Sequence, residues 1–263
     1  MAPGIVTLTT DFGVGGPYVA AMKGVLLGLA PGAVLVDVCH SISPQNILEG
    51  AFVLAGIVDA FPAGAVHLAV VDPGVGTTRR MIAVKAAGQW FILPDNGLIT
   101  GVLNNREPEG VWEIKNPKLA RSAVSATFHG RDIMAPAAAH LLLGGDPNDL
   151  GPATEKIISL RNFEPTRAGD GFIGEVIFKD PFGNLITNIR AEHLAGRPAD
   201  SWVAEVAGKR IEGISRTYNQ EASGSLIVLI GSGGWIEAAV VNGDAGRHLS
   251  TGPGATVWLR PKS

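Results

Sequence analysis

The strongest constraint on the fold is an alternation of short apolar runs with helical patterns in the first two thirds of the chain. Residues 5–9 are rich in β-forming residues, and residues 34–38 and 66–71 read as largely apolar strands, as strands covered on both faces are. Residues 18–30 carry apolar side chains at helical spacing between the first two strands. This order predicts an α/β fold in which a mostly parallel sheet is covered by helices.

Three local signals extend this N-terminal domain. Ser43-Pro44 predicts a helix that begins with Ser43 as N-cap and Pro44 at the first helical position and runs to about residue 59. Residues 82–85 and 90–93 predict a hairpin closed by residues 86–89. A further helix is predicted over 132–143, where two glycines follow it. We assign residues 1–165 to this domain.

The pattern changes after residue 165, where short strands are separated by Gly, Asn, Asp and Pro and no long helix is predicted. This texture is typical of a small antiparallel barrel or sandwich. We therefore predict a smaller β-barrel-like C-terminal domain over 166–263. Its predicted strands are 172–178, 185–189, 202–206, 225–230, 236–241 and 255–259.

The composition argues against several classes of partner. The net charge is −3 and no basic stripe is present, so nucleic acid is not an expected partner. No run approaches the ~18 consecutive apolar residues of a membrane span. The chain has one cysteine, Cys39, and no signal-peptide pattern, so a soluble cytoplasmic protein is expected. Hydrophobic residues make up 46% and charged residues 17% of the chain, which favours association between copies.

Three predicted strands lead into an aspartate near their carboxyl ends, namely Asp11, Asp37 and Asp72. Ligands bind beyond the carboxyl ends of strands in open α/β sheets. Carboxylates there could hold a hard cation, which makes a metal-dependent phosphohydrolase one alternative. Aspartate is also common in turns and caps; the pattern favours this interpretation for Asp37 and leaves Asp11 and Asp72 open.

Asp72 begins a glycine-rich segment that ends in Arg79-Arg80. Gly74 and Gly76 would let the backbone approach a ligand closely, although a turn with solvated arginines has the same pattern. The segment lacks the Gly-Lys-Ser/Thr ending of a P-loop. The segment is therefore a candidate ligand loop that carries a carboxylate and a guanidinium.

His129 is the one histidine of six that we single out as a candidate catalyst. It lies in a loop just before a predicted helix, in the run Thr127-Phe128-His129-Gly130. A titratable side chain in such a loop can meet a substrate, but a hydrogen-bonded surface histidine would look the same.

Two segments of the second domain are candidate ligand loops. The run 180–184 joins two predicted strands and is either a plain hairpin turn or an aromatic face for a purine, with Asn184 reading its hydrogen-bonding edge. The glycine-rich run 231–234, which precedes Glu237, is either a connection or a flexible ligand loop.

Taken in order, these segments resemble the S-adenosylmethionine hydrolase (adenosine-forming) family, also called SAM hydroxide adenosyltransferase, which is related to the fluorinase and chlorinase. The resemblance spans nearly the whole chain, and the ordered set is more specific than any single motif. The matching runs are Leu8-Thr9-Thr10-Asp11-Phe12-Gly13, Tyr18-Val19, Met22-Lys23-Gly24, Val36-Asp37-Val38-Cys39-His40, Glu49-Gly50-Ala51, Val71-Asp72-Pro73-Gly74-Val75-Gly76, Pro94-Asp95-Asn96-Gly97, Phe128-His129-Gly130-Arg131-Asp132, Phe182-Gly183-Asn184-Leu185-Ile186-Thr187-Asn188 and Gly231-Ser232.

The resemblance implies an enzyme that uses water to attack C5′ of S-adenosyl-L-methionine and releases adenosine and L-methionine, with no metal or other cofactor. It implies a homotrimer whose site lies between one subunit's N-terminal domain and a neighbour's C-terminal domain. It assigns the catalytic roles to Asp72, Arg79 and His129. It also implies that Asp11 holds the ribose hydroxyls.

The remaining substrate-binding residues follow from the same resemblance. In the N-terminal domain they flank His129, and in the C-terminal domain they match a neighbour's contacts to adenine and methionine. They are Thr127, Phe128, Gly130, Asp180, Phe182, Asn184, Ser232 and Glu237. The chain departs from the family at Gly16, where an acidic residue is expected, and at 233–235, which is one residue longer than usual.

The resemblance also defines two rival functions. Halogenating relatives have aromatic residues at the positions of Asp72 and His129, and the fluorinase has a long insertion where this chain has only the turn 86–89; both differences favour water over halide. The first rival is nevertheless a halogenase that forms 5′-chloro-5′-deoxyadenosine. The second is a non-catalytic protein that binds adenosine or S-adenosylmethionine.

Overall fold

The computed structural model describes residues 4–104, 106–194 and 196–262. The chain divides into two compact units, Met1–Leu160 (unit 1) and Arg161–Ser263 (unit 2). None of the helices in the described residues combines the length and the apolar character that crossing a membrane requires.

Unit 1 is built on a six-stranded sheet. Its strands are β1 (Ile5–Thr10), β2 (Val34–Cys39), β3 (Val66–Val70), β4 (Met81–Ala86), β5 (Gln89–Pro94) and β6 (Gly110–Glu113). They are arranged in the order β2-β1-β3-β5-β4-β6. The pairs β1/β2, β1/β3 and β3/β5 are parallel, and β4 is antiparallel to both β5 and β6. The predicted mostly parallel sheet is confirmed.

Helices cover this sheet and bury both of its faces. They are α1 (Tyr18–Leu29), α2 (Ile47–Ala55), α3 (Thr100–Leu103) and α4 (Ala135–Leu142), which continues a π-helical turn over Gly130–Met134. Successive residues of β3 pack on opposite faces: Leu68 belongs to a cluster with Met22 of α1, and Ala69 to a cluster with Leu54 of α2. Burial on both faces explains why β3 is largely apolar.

The helix predicted from Ser43 begins later than expected. Its N-cap is Asn46, whose side chain accepts a hydrogen bond from the Glu49 backbone nitrogen at 3.1 Å. The Glu49 carboxylate accepts in return from the backbone nitrogen of Ser43 at 3.1 Å. Gln45 has φ 66°, a left-handed conformation that interrupts a helix. The prediction of Ser43 as cap was wrong because Asn46 and Glu49 form the stronger capping pair.

The predicted hairpin is present as β4 and β5, and its turn is very tight. Ala87 and Gly88 connect the two strands with φ of 52° and 69°. Two consecutive positive φ values are the mark of a primed hairpin turn, whose twist matches that of the strands.

Unit 2 is an antiparallel, nearly closed sheet, as predicted. Its strands are β7 (Thr166–Ala168), β8 (Gly171–Lys179), β9 (Leu185–Arg190), β10 (Trp202–Val206), β11 (Lys209–Glu212), β12 (Leu226–Ile230), β13 (Trp235–Val240) and β14 (Thr256–Pro261). The order is β11-β10-β14-β8-β9-β13-β12, and β7 pairs with β8. The Ser215 backbone nitrogen, just after β11, donates to the Val228 carbonyl of β12 at 2.7 Å and draws the two sheet ends together. A short helix, α5 (Ala245–Leu249), precedes β14.

Candidate active site

A cavity of about 310 Å³ opens in unit 1 beyond the carboxyl ends of β1 and β3. The structure brings six of the predicted residues to it from three separate loops, at the edge of the sheet where α/β proteins bind ligands. Arg79 joins this group through its contacts with Asp72 and His129. The lining residues are Asp11, Phe12, Pro44, Gln45, Val70, Asp72, Pro73, Val75, Thr127, Phe128, His129 and Gly130.

Asp72, Arg79 and His129 form one hydrogen-bonded chain. Arg79 Nε donates to both carboxylate oxygens of Asp72 at 2.9 and 3.0 Å, and its Nη2 also contacts Asp72 Oδ2. The same Nη2 lies 3.1 Å from Nδ1 of His129. The Asp72 and Arg79 side chains are only 5% and 11% exposed. A buried carboxylate–guanidinium pair with several hydrogen bonds is rigid. The Asp72–Arg79 pair therefore holds the imidazole of His129 in a fixed position.

This geometry assigns the proton of the His129 ring. A guanidinium has donors only, so Nδ1 of His129 must be the acceptor and the ring proton of the neutral form lies on Nε2. Burial and the nearby Arg79 charge lower the pKa of His129, while Asp72 and Asp132 oppose the shift. The imidazole is therefore neutral at neutral pH and offers its Nε2–H group as a donor.

Glycine at position 76 allows the loop that carries Asp72 to lie against the segment that leads into His129. Gly76 has φ +79°, and a Cβ atom there would lie 2.6 Å from the carbonyl oxygen of Ala126. No side chain fits this approach. The loop that follows Asp72 thus rests directly on the segment that leads into Thr127 and His129.

A buried carboxylate, Asp132, anchors the loop that carries His129. It is fully buried and accepts hydrogen bonds from Arg131 Nε at 2.7 Å, Arg121 Nη1 at 2.9 Å and the Ser125 backbone nitrogen at 2.9 Å. The hydrogen bond from Arg131 is the largest of the effects that hold the pKa of Asp132 far below its usual range. Asp132 ends the family-matching run that begins at Phe128, but no role was predicted for it.

Asp11 lies at the cavity in a braced loop. Its Oδ2 accepts from the Gln45 backbone nitrogen at 2.9 Å. The neighbouring Thr10 hydroxyl lies 2.9 Å from His40 Nδ1, and the His40 carbonyl accepts from the Gly13 nitrogen at 2.7 Å. His40 Nε2 in turn lies 2.9 Å from Asp37 Oδ1. His40 therefore contacts the loop that carries Asp11 on both sides of that residue, at Thr10 and at Gly13.

The three strand-end aspartates do not form a shared site. Asp37 is bound by Lys23 Nζ at 2.6 Å and by His40, and it does not line the cavity that Asp11 and Asp72 share. Within residues 4–104, 106–194 and 196–262, no three His, Cys, Asp or Glu side chains converge as metal ligands would. This arrangement gives the predicted alternative of a three-aspartate metal centre no support.

An aromatic cluster forms beside the unit 1 cavity. The ring centroids of Phe12, Tyr18 and Phe128 are 5.6 to 5.8 Å apart, and the Arg131 guanidinium lies 4.7 Å from the Phe128 centroid. Gly16, where the family pattern has an acidic residue, is exposed, and a Cβ atom there would meet only the Tyr18 ring. Of the three clustered rings, Phe12 and Phe128 line the cavity.

Unit 2 contains a second, larger cavity of about 810 Å³. It is lined by all five predicted residues of the C-terminal domain, Asp180, Phe182, Asn184, Ser232 and Glu237. The other residues that line this cavity were not predicted, because they belong to none of the motifs in the sequence. They are Tyr218, Val240, Asn242, Gly243 and Asp244.

Glu237 is the buried carboxylate of this second cavity, with 7% exposure. The Tyr218 hydroxyl donates to its Oε1. Burial raises the pKa of Glu237, Asp180 adds to the rise, and the Tyr218 hydrogen bond opposes it. Tyr218 therefore fixes one oxygen of Glu237 and leaves the other for a ligand.

Two protein-family models match the chain, one in each unit. Residues 6–151 match the model of the SAM hydroxide adenosyltransferase N-terminal domain, and residues 174–258 match that of the C-terminal domain. The first match contains Asp11, Asp72, Arg79 and His129, and the second contains every predicted residue of unit 2.

Two relatives of similar length are S-adenosyl-L-methionine hydrolases. The (R)-S-adenosyl-L-methionine hydrolase of Thermus thermophilus is 39% identical over 97% of this chain and 98% of its own. The protein of the same name from Salinispora arenicola is 40% identical over 95% of each chain. A crystal structure of an uncharacterised conserved protein from Thermotoga maritima superposes with a TM-score of 0.89 at 34% identity, covering 97% of this chain and 99% of that one.

Proposed function

The chain belongs to the SAM hydroxide adenosyltransferase family, and from that premise we propose that Asp72, Arg79 and His129 direct water onto C5′ of S-adenosyl-L-methionine. The enzyme is an S-adenosyl-L-methionine hydrolase that releases adenosine and L-methionine. The observation that carries the assignment of its catalytic residues is the hydrogen-bonded chain from Asp72 through Arg79 to His129 at the unit 1 cavity.

The chemistry is a single displacement at carbon. The water oxygen forms a bond to C5′ while the C5′–S bond breaks, and sulfur keeps the electron pair and leaves as the neutral thioether of methionine. A sulfonium needs neither a general acid nor a metal to depart, so we assign the reaction no cofactor. The protein aligns the water with the C5′–S axis. Such alignment can lower the activation barrier by roughly several kcal/mol.

His129 and Asp72 have different roles toward the attacking water. The Nε2–H group of neutral His129 donates to the water oxygen and fixes its position. The carboxylate of Asp72 accepts the proton that the water loses and passes it to solvent. Arg79 acts as a positioning residue, because it holds the Asp72 carboxylate and also the acceptor nitrogen of His129.

Substrate binding uses both cavities. Asp11 accepts from the ribose hydroxyls with the carboxylate oxygen that Gln45 leaves free, and Thr127, Phe128 and Gly130 form the wall beside His129. The base and the methionine part bind to the residues that line the second cavity, namely Asp180, Phe182, Asn184, Ser232 and Glu237.

We propose that the chain forms a homotrimer, in which the contacts from unit 1 and those from unit 2 belong to one site. In this arrangement the unit 1 cavity of one subunit receives the unit 2 cavity of a neighbour, as the family resemblance implies. The high apolar content of the chain supports self-association. We assign the enzyme to the cytoplasm, since its single cysteine, Cys39, leaves no internal disulfide to require an oxidising compartment.

The direct test is incubation with S-adenosyl-L-methionine in ¹⁸O-water, followed by chromatography and mass spectrometry. We expect adenosine and methionine in equal amounts, with the heavy oxygen on the 5′ carbon of adenosine. Parallel reactions contain chloride or a chelator, and neither addition is expected to change the products. Formation of 5′-chloro-5′-deoxyadenosine would identify a halogenase, and binding without turnover would identify a sensor.

A further inference from the structure

The orientation of one buried amide in unit 2 is fixed by its neighbour. Asp180 Oδ1 accepts from the backbone nitrogens of Phe182 at 2.9 Å and Asn184 at 2.8 Å, and its Oδ2 accepts from Asn184 Nδ2 at 2.9 Å. A carboxylate can only accept. The NH₂ group of Asn184 must therefore face Asp180, and the amide oxygen must face away from it.

The loop leaves Asn184 no freedom to turn over. Asn184 is 7% exposed, and its own carbonyl accepts from the Asp180 nitrogen at 3.1 Å, which closes the loop. Gly183 has φ +90°, and a Cβ atom there would lie 2.2 Å from Asp244 Cγ. Turning the amide would place its oxygen against Asp180 Oδ2, so that two acceptors would meet and a buried donor would lose its partner.

The amide oxygen of Asn184 is thus presented as a fixed acceptor. Asn184 lines the unit 2 cavity, and no residue in the described part of the chain donates to its Oδ1. Phe182 is 78% exposed beside it and offers an aromatic face for a purine. Two further carboxylates, Asp244 and Glu237, line the same cavity.

We propose that Asp180 sets the base specificity of the enzyme: by fixing the Asn184 amide, it selects a 6-aminopurine and rejects a 6-oxopurine. The inference rests on the proposed function, because it takes the unit 2 cavity as the place where the base binds. The amino group of adenine gives Asn184 Oδ1 the donor that it lacks. The oxygen of hypoxanthine at the same position would face that acceptor with a second one and leave both groups without a partner.

The test compares kcat/KM for S-adenosyl-L-methionine with that for S-inosyl-L-methionine, in which oxygen replaces the 6-amino group. We expect the unaltered enzyme to prefer the amino compound by about 100-fold or more. In Asp180→Asn the new side-chain oxygen still accepts from both backbone nitrogens, but its NH₂ group now faces Asn184. The Asn184 amide should turn over, and the preference should fall by about tenfold or more.

The control is Asp170→Asn, which removes one carboxylate from an exposed position of unit 2 that lies outside the cavity. Its preference between the two substrates is expected to stay at the unaltered value. If Asp180→Asn changes both kcat/KM values by one common factor, Asn184 Oδ1 receives some other donor, such as the methionine ammonium, and the inference is overturned.

Calorimetric titration of the full-length unaltered enzyme with adenosine and with inosine keeps the inference testable if Asp180→Asn does not fold. We expect adenosine to bind at least about tenfold more tightly, and equal affinities would overturn the inference. The two claims can fail separately: base selectivity without hydrolysis would remove only the proposed function, and hydrolysis without base selectivity would remove only this inference.

Discussion

Arg79 Nη2 lies 3.1 Å from Nδ1 of His129, and the charge of the guanidinium settles which nitrogen of the imidazole carries a hydrogen. The neutral histidine at this site is therefore a donor through Nε2, and in the proposed mechanism Asp72 accepts the proton of the water.

Replacing His129 by glutamine should preserve more activity than replacing it by asparagine. A glutamine amide can place an N–H group near the position of Nε2, whereas an asparagine amide reaches only as far as Nδ1. We expect kcat to fall about 100-fold in His129→Asn, the usual cost of a lost donor at a reacting centre, and clearly less in His129→Gln. Steady-state kinetics and the affinity for substrate measure both effects; equal losses in the two variants would contradict the donor role.

Activity should fall only on the acid side of the ordinary histidine pKa. Burial and Arg79 lower the pKa of His129 from 6.5, so the active neutral ring persists below pH 6.5. Protonation at lower pH would put a hydrogen on Nδ1 and a positive charge beside Arg79. A pH profile of kcat should therefore be flat near neutrality and decline below pH 6.5, and in His129→Gln this decline should be absent. A profile of unchanged shape in the variant would assign the acid limb to another group.

Asp132→Asn should weaken both the fold and the catalytic loop. The substitution removes a fully buried carboxylate that binds Arg121, Arg131 and a backbone nitrogen. We expect a loss of about 2 kcal/mol in the free energy of unfolding, as for hydrogen bonds to a charged group, measured by urea denaturation. Because the pKa of Asp132 is lowered in the folded state from 3.8, this stabilisation is present above pH 3.8 and disappears as the pH falls through the folded-state pKa. A difference in stability between the two proteins that persisted at strongly acid pH would contradict this account.

Gly76→Ala should reduce kcat strongly, while Gly15→Ala should not. A Cβ atom at position 76 would meet the Ala126 carbonyl at 2.6 Å and would sit on a residue with φ +79°. At position 15 a Cβ atom would meet open space. Displacing a loop by about 1 Å can lower turnover about 100-fold, and thermal unfolding shows whether each variant is folded. Similar kinetics for the two variants would mean that the contact at Gly76 does not position the site.

A mixture of two inactive variants should recover activity if the site is shared between subunits. Asp72→Ala alters only the unit 1 contribution, and Phe182→Ala combined with Asn184→Ala alters only that of unit 2. In randomly mixed trimers about a quarter of the sites would combine two intact halves. The measurement is activity after joint refolding, with each variant refolded alone as control. No recovery in mixtures that sediment as trimers would place both halves of the site in one subunit.

Much of the fold could be predicted because its patterns are local. Both faces of β1 and β3 are buried, so these strands are rich in apolar and β-branched residues, and the tight turn at Ala87-Gly88 lies between two such strands as a hairpin requires. The prediction that α2 begins at Ser43 was wrong. The N-cap is the residue whose side chain completes the hydrogen bonds of the first turn, and Asn46 does this together with Glu49.

Only part of the candidate site could be predicted from the sequence. Asp72, Arg79 and His129 could be named by resemblance, but single residues of this kind carry no sign of their mutual distances. Tyr218 and Asp132 were missed because their importance arises from partners 19 and 11 residues away in sequence, Glu237 and Arg121.

The contact of Gly76 with the Ala126 carbonyl also bears on how the two loops can change in sequence. With the loops of Asp72 and His129 in backbone contact, enlarging the side chain at one position displaces the other. A side chain at position 76 would therefore have to be matched by a change in the segment that leads into His129.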